Sequence, residues 1–180
     1  MKIIEGKFAG TQIQYKEQKG TRISSEKVRK AVFDVLKNIT NLSGLKAVDL
    51  FCGTGMYGLE ALSRGAVSVY FVDDNKKVIE QLKKNIIKIF DDFEDYCEVL
   101  SIGFEKFVKS SGERFDLVFA DPPYYNFDFN KFNEIYKILE KDGIFVLEYS
   151  SRMDIGDFLN LRKISDKTYG DAKVTIFQRT

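Results

Sequence analysis

Between residues 47 and 149, short apolar runs alternate with longer stretches of helical pattern, and no other feature limits the possible folds as tightly. Ala47-Val48-Asp49-Leu50-Phe51, Val67–Val72, Glu98–Ile102, Phe115–Ala120 and Ile144–Tyr149 each read as a buried strand, and 57–64, Lys76–Phe90, 104–110 and 130–140 as helices between them. A strand that is apolar on both faces has to be covered on both faces. The helical connections are long enough to cross over, so the pattern predicts a parallel sheet with helices on each side. The end of the chain departs from it. Leu161–Ser165 and Lys173–Phe177, on either side of Tyr169-Gly170-Asp171, predict an antiparallel hairpin. The expected fold is α/β, a doubly wound and mostly parallel seven-stranded Rossmann-like sheet closed by that hairpin.

Ahead of this pattern, residues 1–15 alternate loosely (Ile3, Phe8, Ile13, Tyr15) with glycines at 6 and 10, which predicts a small hairpin. Ser24-Ser25 then opens a helix whose apolar positions 28, 31, 32, 35 and 36 form one stripe, leaving Lys27, Arg29 and Lys30 toward the polar side. Residues 1–40 hold nine Lys/Arg and four Asp/Glu, a net charge of +5, against −4 for the remainder. Repeats, linkers and low-complexity tracts are absent, and the two prolines, Pro122 and Pro123, are adjacent. The chain therefore reads as one domain, with residues 1–40 a basic, substrate-binding extension on a catalytic core of 41–180. No apolar run approaches the roughly 18 residues a membrane helix needs, and Met1 leads straight into Lys2-Ile3-Ile4-Glu5. A soluble, cytoplasmic protein with reduced Cys52 and Cys97 is expected.

The 180 residues contain no histidine, which excludes Ser-His-Asp and Cys-His catalysis and His-ligated zinc. Chemistry must rest on carboxylates, backbone groups, aromatics or an organic cofactor, and no metal is expected. Gly53-Thr54-Gly55-Met56-Tyr57-Gly58 is a complete G-x-G-x-x-G after the first core strand, and Asp73 lies 20 residues beyond its first glycine, at the end of the next strand. The glycines allow a tight turn and close approach of a ligand to backbone, while a carboxylate on the neighbouring strand can accept ribose hydroxyl protons. Nucleotide cofactors of several kinds use this arrangement. Asp49, four residues before Gly53, separates them: a carboxylate there opposes a pyrophosphate but suits a cofactor carrying an ammonium and a sulfonium. Its plainer role would be to accept a hydrogen bond from the loop or helix.

Phe115–Ala120 ends in Asp121-Pro122-Pro123-Tyr124. Two consecutive prolines remove two amide donors and fix two φ angles, so the flanking carbonyls and side chains are held without secondary structure. An exocyclic amine on a nucleobase is a poor nucleophile because its lone pair is delocalised into the ring. The Asp121 carboxylate and the Pro122 or Ala120 carbonyl could each accept one amine N–H and aim that lone pair, with Tyr124 stacked on the base. In a doubly wound sheet this strand lies beside the first, so the tetrapeptide and the glycine loop should face one cleft.

Asp49-Leu50-Phe51-Cys52-Gly53-Thr54-Gly55 resembles the first motif of class I S-adenosylmethionine-dependent methyltransferases, and Asp121–Tyr124 resembles the signature of those acting on planar amino groups. Ile3–Gly10, Thr21–Phe33, Gly58–Ala66, Glu148-Tyr149-Ser150 and Tyr169-Gly170-Asp171 are similar to segments of a narrower group. These are the RsmD-like bacterial enzymes that methylate the N2 amine of a guanine in 16S ribosomal RNA. The resemblance implies S-adenosylmethionine as cofactor, held by Asp49, Phe51, Gly53, Gly55, Asp73 and Phe104. It implies Asp121, Pro122 and Tyr124 as catalytic residues, and Arg22, Lys27, Arg29 and Lys30 as contacts to RNA phosphates. The partner would be 16S rRNA in the assembling or assembled small subunit, and the enzyme a monomer. Three positions depart from the family: Ile23 replaces a proline, Tyr149 stands where histidine is common, and Gly103 where an aspartate usually meets the adenine amine. The competing readings are methyl transfer to adenine N6, a protein glutamine or a small amine, a nicotinamide oxidoreductase, and a non-catalytic RNA-binding module.

Overall fold

The computed structural model describes residues 1–15, 25–90, 95–124 and 127–180. Seven strands form one sheet in the order β3-β2-β1-β4-β5-β7-β6. They are β1 (Lys46–Leu50), β2 (Ser68–Asp73), β3 (Cys97–Ser101), β4 (Phe115–Ala120), β5 (Leu139–Ser150), β6 (Leu161–Tyr169) and β7 (Ala172–Arg179). The first five run parallel, and β7 lies antiparallel to both β5 and β6, so the expected sheet and closing hairpin are present. Four α-helices, α1 (Glu26–Ile39), α2 (Met56–Ser63), α3 (Lys76–Ile89) and α4 (Phe104–Ser110), and a 3-10 helix (Phe129–Lys137) complete the layers.

Alternation along the strands divides the core in two. Ala47, Val69, Phe71, Leu117, Phe119 and Val146 face the side packed by α1, α2 and α3. Val48, Leu50, Val72, Val118, Phe145 and Leu147 face the side packed by α4 and the 3-10 helix. Both faces are apolar because both are covered. At the open edge, β6 keeps Arg162, Lys163, Asp166 and Lys167 on its exposed surface, charges that discourage another chain from pairing there.

The helix expected over 130–140 forms over Phe129–Lys137, as a 3-10 helix rather than an α-helix. Phe129, Phe132 and Ile135 are all buried, and a spacing of three residues aligns them directly above one another at three residues per turn. Asp128 caps this turn, accepting from the Asn130 N–H at 3.0 Å. The following strand starts earlier than its apolar run, at Leu139, which pairs with Phe115 before the register shifts to Leu117 opposite Ile144. The irregularity lies around Asp142, with φ of +61°, and Gly143, where a Cβ would stand 2.8 Å from the Glu140 carbonyl oxygen.

The N-terminal segment is a loose hairpin, with a single bridge between Lys2 and Gln12 and Ile13 N–H bonded to the Met1 carbonyl at 2.8 Å. It is fastened to α2 through Glu60, which is fully buried and accepts from the Ile4 N–H at 2.8 Å and the Glu5 N–H at 3.0 Å. Arg64 also meets Glu60, at 2.7 Å, and Arg29 lies 3.8 Å from it. Arg29 was expected on the polar face of α1; it is instead 1% exposed and donates to the Lys2 carbonyl at 3.0 Å. The buried Glu60 carboxylate requires cations, and Arg29 supplies one from α1, so it is not available to RNA phosphates. Among the described residues, no helix is long and apolar enough to cross a membrane.

Candidate active site

The chain leaves β1 toward one face of the sheet and β4 toward the other, and these neighbouring strands diverge over a crevice at their carboxyl ends. A cavity of about 780 Å³ occupies it, within the range of small-molecule sites. Its wall includes Asp49, Phe51, Gly53, Asp73, Phe104, Asp121, Pro122 and Tyr124, eight of the residues singled out from sequence, contributed by the ends of four strands. The ladder explains why they converge: Leu50 pairs with Ala120 and with Val72, and Asp73 pairs with Ser101, so the residues that follow emerge at one level.

The turn out of β1 is tight. Phe51 has φ of +56°, a conformation that costs a bulky residue of order 1–3 kcal/mol and is met mainly at functional sites. Gly53 (φ +52°) and Gly55 (φ +73°) follow in the left-handed region, and Gly55 caps α2. Gly55 does not line the cavity itself; it shapes the loop that does. Gly58 serves packing: a Cβ there would lie 2.3 Å from Phe71 Cε1 and 2.8 Å from Val69 Cγ1, so only glycine lets α2 rest on β2.

Asp49 is 3% exposed and accepts from the Gly58 N–H at 2.9 Å. It thus fills the plainer capping role and lines the cavity as well. Burial pushes its carboxyl up to about 8, only partly offset by the Gly58 N–H, with Asp73 adding like charge. Asp73 accepts from the Gly53 N–H at 3.0 Å and the Asn75 N–H at 2.9 Å, and burial raises its carboxyl too. Each of its oxygens keeps a second lone pair for a hydroxyl. Two acids held above their ordinary range in one cleft are poised for a cation, whose charge would favour their ionised forms. Cys52 is buried, and burial together with Asp49 and Asp73 pushes its thiol well up, so it carries no thiolate at neutral pH.

Lys27 and Lys30 are exposed on α1, outside the cavity. Arg22 lies outside the described residues. Two further pieces had no clear signal in the sequence. Tyr57 lines the cavity, stacks on Phe119 at 5.0 Å and donates its hydroxyl to Glu148 at 2.7 Å, a buried bond between residues 91 positions apart. Phe127 lines the cavity with its ring 5.4 Å from that of Phe51. Asn75, which also lines the cavity, caps α3: its side chain accepts from the Lys77 and Val78 N–H groups.

The model of the family described as conserved hypothetical protein 95 matches residues 1–178. The chain belongs to this family. Among similar proteins, YlbH of Bacillus subtilis (strain 168) is 29% identical over 189 residues, covering 99% of both chains. Ribosomal RNA small subunit methyltransferase D of Haemophilus influenzae is 33% identical over 127 residues, which is 69% of this chain and 64% of that protein. A solved structure from Thermus thermophilus is 28% identical and superposes over 98% of both chains with a TM-score of 0.80. The yhhF protein of Escherichia coli, at 23% identity and a TM-score of 0.85 over 99% of this chain and 97% of that one, shares the fold. The conserved hypothetical protein 95 family thus spans both the core and the N-terminal hairpin, and the RsmD-like resemblance read from the motifs holds along the chain.

Proposed function

We propose that the protein transfers the methyl group of S-adenosylmethionine to the exocyclic N2 amine of a guanine in 16S ribosomal RNA, in the assembling or assembled small subunit. One observation carries the reading: the glycine loop, Asp49 and Asp73 line the same cavity as the Asp121-Pro122-Pro123-Tyr124 turn. The name of the Haemophilus relative supports ribosomal RNA of the small subunit as the acceptor.

The donor set fits the cofactor. S-adenosylmethionine supplies, when bound, an electrophilic methyl on a cationic sulfur beside an ammonium group. Asp49 neutralises that positive charge from inside the sheet, where a pyrophosphate would be repelled, and this sets the reading apart from a nicotinamide site. Asp73 holds the ribose hydroxyls on its free lone pairs, and Gly53 and Gly55 keep side chains out of the turn. Phe51 and Phe104, with ring centroids 5.3 Å apart, pack on the base. On the acceptor side, Asp121 and the Pro122 carbonyl would each accept a hydrogen bond from one amine N–H and point the nitrogen lone pair toward the methyl. As the N–C bond forms and the C–S bond breaks, S-adenosylhomocysteine leaves, one amine proton is released to solvent and the other stays on the nitrogen. Tyr124 stacks on the guanine, worth about 1–3 kcal/mol, which is comparable to the few kcal/mol needed to unstack it. Catalysis is then largely orientation, and it needs no histidine. Lys27, Lys30 and Arg22 take up RNA phosphates along the basic N-terminal extension.

The test is to digest 16S rRNA from cells with and without this chain and quantify modified nucleosides by mass. One N2-methylguanosine present with the chain, lost without it and restored by the gene is the expected result. A change confined to N6-methyladenosine, to a protein glutamine or to a small amine would overturn the acceptor assignment.

A further inference from the structure

The cavity has a direction, because the strand ends that form it are adjacent in the order β4, β1, β2, β3. Asp121–Tyr124 follows β4, Asp49 and the glycine loop belong to β1, Asp73 ends β2, and Gly103-Phe104 follows β3. A cofactor with its ammonium at Asp49 and its ribose at Asp73 therefore carries its base to the end of β3. This step rests on the cofactor proposed above.

The wall there is aromatic. Besides the Phe51–Phe104 pair, the Phe127 ring lies 6.2 Å from that of Phe104. Rings of this kind hold a purine by its faces and do not discriminate the groups on its edge. Edge recognition by a side chain needs a donor or acceptor, and Gly103, which lines the cavity where the chain passes from β3 into α4, offers none. Nothing in its own surroundings demands glycine. Its φ of −69° and ψ of 145° are open to any residue, and a Cβ built on it would meet no heavy atom of the described residues within 4 Å. It is also the N-cap of α4 and makes no side-chain capping bond, although serine, threonine, aspartate and asparagine are the favoured residues there. The neighbouring carboxylate on α4, Glu105, is engaged by Lys131 at 2.5 Å with its side chain 53% exposed. The consequence is an open niche in the cavity wall, where a side chain at this position would project.

We propose that Gly103 makes the cofactor site permissive at the base, so that the purine is held by its faces and the niche admits both loss of the exocyclic amine and substituents on it. A site built to hydrogen-bond an NH group rejects the analogue lacking it by about 10⁴–10⁵, and the niche imposes no such penalty. The ligand class it takes is thus S-adenosyl compounds with altered purine edges.

Calorimetric titration of the full chain with S-adenosylhomocysteine, its analogue with hydrogen in place of the 6-amino group, and N6-benzyl-S-adenosylhomocysteine tests this without any turnover. The three dissociation constants should agree within about threefold. Gly103→Leu fills the niche, and should weaken the benzyl compound by about tenfold or more while S-adenosylhomocysteine stays within about threefold. Loss of more than about tenfold for the 6-hydrogen or benzyl compound in the unsubstituted protein, or equal loss of all three in Gly103→Leu, would overturn the inference. If S-adenosylhomocysteine itself does not bind, the cofactor assignment fails, and the permissive niche with it. Retained binding with strong edge discrimination overturns the niche alone.

Discussion

Cofactor affinity should rise steeply with pH, and the buried Asp49 sets the slope. Its carboxyl titrates at about 8 in the free protein, so near neutral pH it is mostly protonated, and binding a cation beside it must release a proton. Below about pH 8, apparent affinity scales with the ionised fraction, close to tenfold per pH unit, and levels off above it. Between pH 5.5 and 7, where the ammonium of the ligand stays charged, the ionised fraction rises about 30-fold, equivalent to about 2 kcal/mol of binding free energy. Asp49→Asn keeps an oxygen for the Gly58 N–H but cannot ionise, so most of the slope should vanish. The free protein should show the mirror image. A raised native carboxyl contributes stability that is fully present below the ordinary carboxylate range and is lost progressively as pH rises to about 8, so Asp49→Asn should gain stability relative to the parent across that window and keep the gain above it. Calorimetry with S-adenosylmethionine across pH 5.5–7, for both proteins, measures the slope. A flat profile in the parent, or an identical slope in Asp49→Asn, would refute the placement of the cationic end beside Asp49.

Three further perturbations follow from the packing. Glu60→Gln leaves Arg29 and Arg64 buried without their shared counter-charge and should cost about 3–5 kcal/mol in urea unfolding. Gly58→Ala places a Cβ 2.3 Å from the Phe71 ring, and overpacking of about 1–3 kcal/mol should outweigh the gain of about 1 kcal/mol in helix propensity, lowering the melting temperature. Replacing Lys27 and Lys30 together by alanine should reduce the salt slope of RNA binding by about 1.5, at 0.7–0.9 per phosphate contact. Arg29→Ala should instead lower stability and leave that slope unchanged, as filter binding at several salt concentrations would show.

The sheet was legible because a strand covered on both faces has to be apolar throughout, and five such runs separated by helical patterns admit few arrangements. The position of the site was legible for a related reason: once β1 and β4 are neighbours, Gly53 and Asp121 have to share a crevice. What escaped depended on partners remote in sequence. Arg29 looks like any surface cation on α1, and only the burial of Glu60, which it meets from 31 residues away, draws it inside. Tyr57 and Glu148 are polar residues on separate elements whose bond exists only after β5 is in place. The 3-10 helix is a question of period: Phe129, Phe132 and Ile135 fit a spacing of three as well as they fit one turn of an α-helix, and the pattern is too short to separate the two.

The most direct measurement is transfer of labelled methyl from S-adenosylmethionine to small ribosomal subunits from cells lacking this enzyme, with Asp121→Ala run beside the parent. The mechanism predicts label in one guanine, released as N2-methylguanosine on nuclease digestion. It predicts loss of transfer by orders of magnitude in Asp121→Ala with cofactor affinity unchanged. Full transfer by Asp121→Ala, or no label in RNA despite tight cofactor binding, would contradict it.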